Sequence, residues 1–373
     1  MTEDKSTRYH RLKRRAEIAG LAWSAALVGG LLATGGARAL RDVARDAAGP
    51  NLYATVAVVV VLLMALHEVV ALPLSWYAGY VLERRYELSR EPLSAWLVDH
   101  VKGAILALVL ALAGAEVVYA AIAHAPHVWW LISGAVAALM IVGLANLAPV
   151  LLLPWFFTFT PLKRETLRGR LERLASRAGT RIVGVYEWAL GAKSRKANAA
   201  LTGLGPTRRI LVSDTMLEQY SDDEIEVVLA HELGHHVHYD IWRALALESA
   251  LILLGFLAAH LALVYAGPRI GLEGLSDPAG LPLIAAAAGA VSLGLVPLGL
   301  ALSRRHERRA DRFALDLTEN PTAFLSAMRR LGAQNLAEQS PSRLVQWLFY
   351  SHPPLDERLA AARAWRSGKG TES

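Results

Sequence analysis

Long apolar stretches dominate the chain and predict membrane-spanning helices. A helix needs about 20 residues to cross roughly 30 Å of hydrocarbon, and six stretches reach or approach that length. They cover residues 18–36, 52–80, 103–123, 128–159, 242–265 and 281–302. The fourth stretch carries no charge and contains Pro149 and Pro154, so we expect a kinked or tilted helix there.

The polar segments between these stretches have the periodicities of a mixed helix and strand domain. Residues 163–178 place Leu167, Leu171 and Leu174 on one side of an amphipathic helix. Residues 181–188 and 209–213 have strand-like patterns, and residues 197–203 between them form a candidate edge strand. The chain therefore divides into a four-span region (1–160), a polar segment (161–241), two further spans (242–302) and a second polar segment (303–373).

Composition strengthens the membrane interpretation. Of the 373 residues, 54% are hydrophobic and 19% are charged, which is little charge to cover several soluble domains. The net charge of +6 comes from basic residues at the ends of the apolar stretches, so we expect a lipid bilayer as partner and no nucleic acid. The chain contains no cysteine, which excludes disulfides, catalytic thiolates and metal sites built on cysteine.

Positive charge predicts the orientation of the spans, because cytoplasmic loops carry an excess of Lys and Arg. The N-terminus and the connection at residues 84–102 are basic, whereas Arg38, Arg41 and Arg45 in the first connection dilute the bias. We interpret residues 18–36 as an uncleaved first span, since the stretch is longer than a signal-peptide core. With six spans, both polar segments lie on the cytoplasmic side of the cell membrane.

A short histidine motif at the end of the first polar segment predicts a metal site. Ser221 and Glu224 form a capping-box pattern that starts a helix. That helix carries His231, Glu232 and His235, and the two histidines lie one turn apart on one face. Both imidazoles can bind one zinc ion, while the Glu232 carboxylate points elsewhere and can serve as general base.

A catalytic zinc ion needs a third protein ligand, with a fourth position left open. Glu307 and Asp311 follow the sixth apolar stretch with helical spacing, so that Glu307 can bind the metal and Asp311 can orient a histidine ligand. The alternatives are His306 as the ligand, or a juxtamembrane cluster of solvated charges. We favour Glu307 because both halves of the site then lie just beyond the same membrane boundary.

Taken together, these motifs resemble those of the type 1 CAAX prenyl protease family of integral-membrane zinc endopeptidases. The resemblance covers most of the chain from about residue 72. It rests on LPLSWY at 72–77, Pro161-Leu162, Asn198-Ala199, the zinc helix, Glu307 to Asp311, and SHPP at 351–354 followed by Arg358. The six predicted spans and the short tail are fewer and shorter than in larger members, and the Ala- and Arg-rich composition favours a bacterial member.

The resemblance implies roles for four further residues. Asp311 would support the site or serve as a proton donor. Asn198, His352 and Arg358 would line the cleft and hold the peptide backbone or the oxyanion. The implied substrate is a peptide or protein, prenylated or membrane-associated, and the implied cofactor is one Zn²⁺ per chain.

We therefore expect a mainly α membrane protein with about six transmembrane helices and a cytoplasmic, zincin-like α+β catalytic domain split by the last two spans. The expected activity is that of a zinc metalloendopeptidase. A non-catalytic zinc-binding scaffold and a multi-pass transporter or receptor remain the alternatives. Five polar residues inside the spans either line a polar cavity or form structural pairs: His67, Glu68, Glu116, Glu248 and His260.

Overall fold

The protein is a bundle of long helices joined to a small helix and strand domain. The computed structural model describes residues 4–203 and 205–369. Within those residues, six helices are long and apolar enough to cross a membrane. This confirms the predicted mainly α fold class and the predicted number of spans.

The N-terminal region consists of helices alone. They are α1 (Lys5–Thr34), α2 (Gly36–Ala48), α3 (Leu52–Trp76), α4 (Leu82–Arg85), α5 (Leu93–His124), α6 (Trp129–Leu147) and α7 (Leu153–Phe156). π-Helical turns at Tyr77–Val81 and Ala148–Leu152 join α3 to α4 and α6 to α7. The second turn contains Pro149, which has no N–H to donate to the helix.

Helix α1 begins earlier than the apolar pattern indicated, at Lys5 instead of residue 18. Its additional turns are polar and pack outside the span against the rest of the protein. Tyr9 is buried and donates a hydrogen bond to Glu83, which also contacts Lys13 at 3.3 Å and Lys196 at 2.8 Å. Glu83 thus ties the start of α1 to the polar domain.

Helix α2 has no counterpart among the predicted elements, and it explains the basic first connection. Arg41 is buried and contacts Asp277 at 2.7 Å, and Arg45 contacts Glu273 at 2.7 Å. Both acidic residues belong to the connection between the last two spans. Two of the three positive charges that diluted the orientation signal, Arg41 and Arg45, are therefore paired with carboxylates on the same side.

The polar domain begins directly after the fourth span. The predicted stretch ran to residue 159, but the helix ends at Phe156 and the chain continues as a strand. The elements are β1 (Phe159–Pro161), α8 (Glu165–Arg177), β2 (Val185–Trp188), β3 (Ala199–Thr202), β4 (Arg209–Ser213), α9 (Asp214–Gln219) and α10 (Asp222–Val237). The predicted capping box of Ser221 and Glu224 starts α10.

The four strands form one sheet in the order β1-β2-β4-β3, so β3 is an edge strand. It pairs antiparallel with β4, and Ala199 lies opposite Val212. Ser213 N donates to Asn198 O at 2.9 Å. Because antiparallel pairing alternates, the N–H and C=O of Ala199 and Leu201 point away from β4, toward the open edge.

The last part of the chain crosses the membrane twice and returns to the polar domain. Its helices are α11 (Asp240–Tyr265), α12 (Leu281–Thr318), α13 (Pro321–Gln334), α14 (Arg343–Phe349) and α15 (Leu355–Lys369). Helix α12 contains 38 residues and continues from the span into the polar domain. There, Leu171, Ile210, Leu229, Leu315 and Phe324 belong to one buried core shared by both polar segments.

Three of the polar residues inside the spans have side-chain partners. His67 Nε2 lies 3.0 Å from Ser24 Oγ, and Glu68 Oε1 lies 2.6 Å from His100 Nε2. The indole N–H of Trp129 donates to His260 Nδ1 at 3.0 Å. For these three residues, a hydrogen bond to another side chain explains how a polar group can lie within the membrane.

Candidate metal centre and catalytic cleft

Two helices from distant parts of the chain meet at the site. Helix α10 carries His231 and His235, and α12 carries Glu307. They cross closely at Gly234, where an added Cβ atom would lie 3.0 Å from Ala310 Cα. Glycine at this position lets the two backbones approach until side chains from both helices share one point.

The side chains of His231, His235 and Glu307 meet in a triangle of possible ligand groups. The two Nε2 atoms are 3.2 Å apart, while Glu307 Oε2 lies 3.4 Å from His231 Nε2 and Glu307 Oε1 lies 3.3 Å from His235 Nε2. A tetrahedral ion with bonds of about 2.0–2.1 Å separates its ligand atoms by about 3.3–3.4 Å. The spacing of the three groups is therefore close to that of three corners of a tetrahedral metal site, in which Glu307 would offer one of its two oxygens.

Hydrogen bonding behind the imidazoles supports the same conclusion. Asp311 Oδ1 lies 2.9 Å from His231 Nδ1, and Asp240 Oδ2 lies 3.1 Å from His235 Nδ1. A carboxylate beside each Nδ1 favours the tautomer that is protonated there, which leaves both Nε2 lone pairs free to bind a metal. Glu307 Oε2 is buried and has no hydrogen-bond partner among the described residues. Three acceptors therefore lie close together, and a metal cation would satisfy them.

Glu232 lies beside the metal triad without belonging to it. It lines a cavity of about 380 Å³ together with His231, Glu307 and the start of β3. Burial raises the pKa of the Glu232 carboxyl above its ordinary value, and the neighbouring imidazoles act in the opposite direction. A carboxylate with a raised pKa next to a metal triad can accept a proton and return it.

Asp311 and Arg358 form a bidentate ion pair. Arg358 donates from Nε to Asp311 Oδ2 at 2.8 Å and from Nη2 to Asp311 Oδ1 at 2.6 Å. Asp311 is therefore held between this guanidinium and His231. His352 lies closer to solvent, with Nε2 at 3.4 Å from Glu307 Oε1. Its exposed imidazole lies at the rim of the cleft and can donate a hydrogen bond to a bound ligand.

Asn198 also lines the cleft, with an exposed side chain next to the open strand edge. The preceding residue is held on that same side by Asn335, which accepts from Ala197 N at 3.3 Å and donates to Ala197 O at 3.4 Å. Since Asn335 occupies the backbone of Ala197, the open part of the edge begins at Ala199, beside Glu232.

The sequence analysis missed Asp240. Helix α10 ends at Val237 and α11 begins at Asp240. Between them, Tyr239 adopts a left-handed conformation with φ 58°, and this turn places Asp240 against His235. The alternative ligand His306 lies outside the triangle, with Nδ1 at 3.8 Å from Asp240 Oδ1. Among the described residues, the triad alone has the geometry of a metal cluster.

Replacing Asp240 with asparagine should weaken metal binding by about tenfold to a hundredfold, because an orienting partner of a histidine ligand has an effect of that size. Competition with a chromophoric chelator measures the affinity. Asp46→Asn makes the same chemical change at an exposed position of α2 and should leave the affinity unchanged. Equal affinities for the two variants would contradict this role for Asp240.

Comparison with known proteins identifies the two halves of the chain separately. Residues 161–366 match the model of peptidase family M48, and residues 2–158 match a model described as the CAAX prenyl protease N-terminal region with five membrane helices. In this chain, the N-terminal region holds four candidate spans and the short helix α2.

Several relatives extend over most of the chain. An uncharacterized metalloprotease, YhfN, of Bacillus subtilis is 29% identical over 329 residues, covering 85% of this chain and 75% of the relative. A CAAX prenyl protease 1 homolog of Arabidopsis thaliana is 30% identical over 315 residues, covering 80% and 71%.

A solved structure has the same fold. The crystal structure of Ste24p from S. mikatae matches with a TM-score of 0.86 at 24% identity, covering 96% of this chain and 88% of that one. The family model covers the metal helix α10, the Glu307 helix α12 and the cleft between them. This chain is a membrane metalloprotease that belongs to peptidase family M48.

Proposed function

We propose that the protein is a zinc-dependent endopeptidase that cleaves extended segments of membrane-associated proteins, including prenylated ones. One observation carries the proposal: two members of the metal triad, His231 and Glu307, line the same cavity as Glu232 and the start of the open edge strand β3. The names of the Arabidopsis and Saccharomyces cerevisiae relatives, which are CAAX prenyl proteases, support prenylated proteins as a substrate class.

The side chains around the triad divide the chemistry of peptide hydrolysis among them. A bound zinc ion supplies Lewis-acid activation of water and of the scissile carbonyl. Glu232 accepts the proton of the attacking water and delivers it to the leaving amine. His352 donates toward the carbonyl oxygen as negative charge develops there. Asp311, paired with Arg358, holds His231 in the required tautomer.

The open edge of β3 gives the substrate a binding mode that does not depend on its side chains. An extended peptide can add to an exposed strand through backbone hydrogen bonds. The outward N–H and C=O of Ala199 and Leu201 supply those bonds, and the Asn198 side chain at the start of the strand contributes a further polar contact. The bound peptide then runs past Glu232.

Ala199→Pro should raise KM by about tenfold and leave the fold intact, because proline removes an outward N–H and is tolerated on edge strands. Steady-state kinetics on a fluorogenic peptide measures the change. Ala200→Pro is the matched variant: its N–H points toward β4, so this substitution should lower Tm instead. An unchanged KM for a folded Ala199→Pro protein would exclude binding along this edge.

We place the catalytic cleft on the cytoplasmic side of the cell membrane. The basic start of α1 and the basic residues near Arg84 lie on the side of the polar domain, since Glu83 joins them to Lys196. Arg41 and Arg45, on the other side, are paired with carboxylates.

Because the chain has no cysteine, Arg173→Cys provides a single label site. Labelling of that site from outside intact cells would refute this orientation.

Metal analysis combined with cleavage-site mapping tests the function. Purified protein is stripped by a chelator, reloaded with zinc, and given an unstructured peptide in free and farnesylated forms. We expect cleavage that follows zinc content, together with a preference for the farnesylated form. Full cleavage by stripped protein would exclude a metallopeptidase, and zinc binding without any cleavage would favour a scaffold.

A further inference from the structure

A second cavity, of about 490 Å³, lies between α11 and α12, apart from the catalytic cleft. One part of its lining is basic, with the guanidinium groups of Arg243, Arg305 and Arg309. Another part is apolar and includes Leu247 and Leu302. The cavity is therefore amphipathic, and both helices that enclose it are candidate membrane spans.

The position of this cavity along the two helices places it at the membrane boundary. Leu247 lies within the fifth apolar stretch, and Leu302 ends the sixth. Trp242, at the start of the fifth stretch, has an exposed indole, and tryptophan is enriched at the depth of the lipid headgroups. The guanidinium groups thus lie at headgroup depth, and the leucines lie at the edge of the hydrocarbon.

The positive charge around the cavity is only partly neutralised. Asp240 contacts Arg309 and lies 4.0 Å from Arg243. In residues 4–203 and 205–369, no carboxylate lies within ion-pair distance of Arg305. Arg309 Nε is buried and has no hydrogen-bond partner among those residues. Three guanidinium groups face one carboxylate, so an anion is the complementary ligand.

We propose that this cavity binds the phosphate group of an anionic phospholipid, with an acyl chain lying along Leu247 and Leu302. Arginine binds phosphate through paired N–H donors, and basic pockets between membrane helices bind anionic headgroups. A soluble phosphate would satisfy the guanidinium groups but would leave the adjoining apolar wall uncovered. The lipid covers both parts of the lining.

The lipid site adjoins the metal centre through a single carboxylate. Asp240 contacts Arg309 on one side and His235 on the other. Of the two arginines near Asp240, Arg309 makes the closer contact and is left unchanged in the test, so that Asp240 keeps this partner beside the metal centre. Lipid binding is measured directly, so the result does not depend on the proposed peptidase activity.

Native mass spectrometry of detergent-purified protein tests the proposal, using phosphatidylglycerol and phosphatidylcholine as probes. Wild-type protein should retain one phosphatidylglycerol in preference to phosphatidylcholine. Arg243→Gln/Arg305→Gln should lower the apparent affinity for phosphatidylglycerol by about 25-fold, because each arginine near a headgroup contributes roughly a factor of five. Arg85→Gln/Arg90→Gln, an equal change of charge on the other basic connection, should retain the lipid as wild type does.

Three results would overturn the proposal. The first is equal retention of phosphatidylglycerol by the two double variants, provided that both have the Tm of wild type. The second is equal retention of phosphatidylcholine and phosphatidylglycerol by the wild type. The third is full displacement of phosphatidylglycerol by millimolar inorganic phosphate, which would identify a soluble anion as the ligand.

Discussion

Replacing Glu232 with glutamine is expected to lower kcat for peptide hydrolysis by about a thousandfold, because general acid–base catalysis contributes effects of that order. Glutamine has nearly the same shape but cannot accept a proton from water. Glu232 lies outside the metal triad, so metal content should stay at the wild-type value. Peptide cleavage rates, with metal analysis on the same preparations, measure both quantities.

Glu218→Gln provides the matched control for this prediction. Glu218 is exposed on α9, and its substitution should change neither the rate nor the metal content. If Glu232→Gln protein cleaved peptides as fast as the Glu218→Gln protein, another group would have to be the base. If it lost its metal, Glu232 would be a structural residue of the site.

Gly234→Val should weaken metal binding, and with it activity, by separating the two halves of the metal centre. The added Cβ would lie 3.0 Å from Ala310 Cα and 3.2 Å from Phe313 Cδ1, so α12 must shift away from α10. Metal sites tolerate errors of only about 0.2 Å in ligand distance. Overpacking typically costs about 1–3 kcal/mol. If the free energy of metal binding falls by that amount, the metal binds up to roughly a hundredfold more weakly.

The control for this substitution is Gly289→Val, in the same helix as Glu307. No atom lies within 4 Å of a Cβ added at Gly289, so the larger side chain meets no neighbour. Metal affinity from chelator competition and Tm from thermal unfolding should both fall for Gly234→Val only. Retained metal affinity in a folded Gly234→Val protein would show that the helix crossing does not set the distances between ligands.

The membrane part of the fold could be predicted because a hydrocarbon layer imposes one simple requirement, a long apolar stretch. That requirement does not predict helices that lie outside the hydrocarbon layer. The first turns of α1 are polar and are stabilised by Tyr9 against Glu83, and α2 is stabilised by Arg41 against Asp277. In both cases the partner is distant in the chain, so no local pattern reveals the helix.

For a similar reason, the sequence predicts only part of the candidate site. His231 and His235 share a face through helical spacing alone, and the position of Glu307 follows from the membrane boundary. Asp240 differs, because its contact with His235 depends on the left-handed turn at Tyr239. An aspartate shortly after the second histidine, at the start of a span, was the available signal.

Helix α12 continues without a break from the sixth apolar stretch to Glu307, so the proposed metal site lies at a fixed height above the membrane boundary. Glu307 follows Leu302, the last residue of the sixth apolar stretch, by about 7.5 Å of helix axis. A compact folded domain cannot bring a buried bond so close to the lipid surface, whereas a tether emerging from the bilayer can. The distance of a peptide bond from the membrane anchor of the substrate should therefore decide which bond is cleaved. When the segment between the anchor and the substrate sequence is lengthened, the cleaved bond should shift along the sequence, while its height above the membrane stays the same.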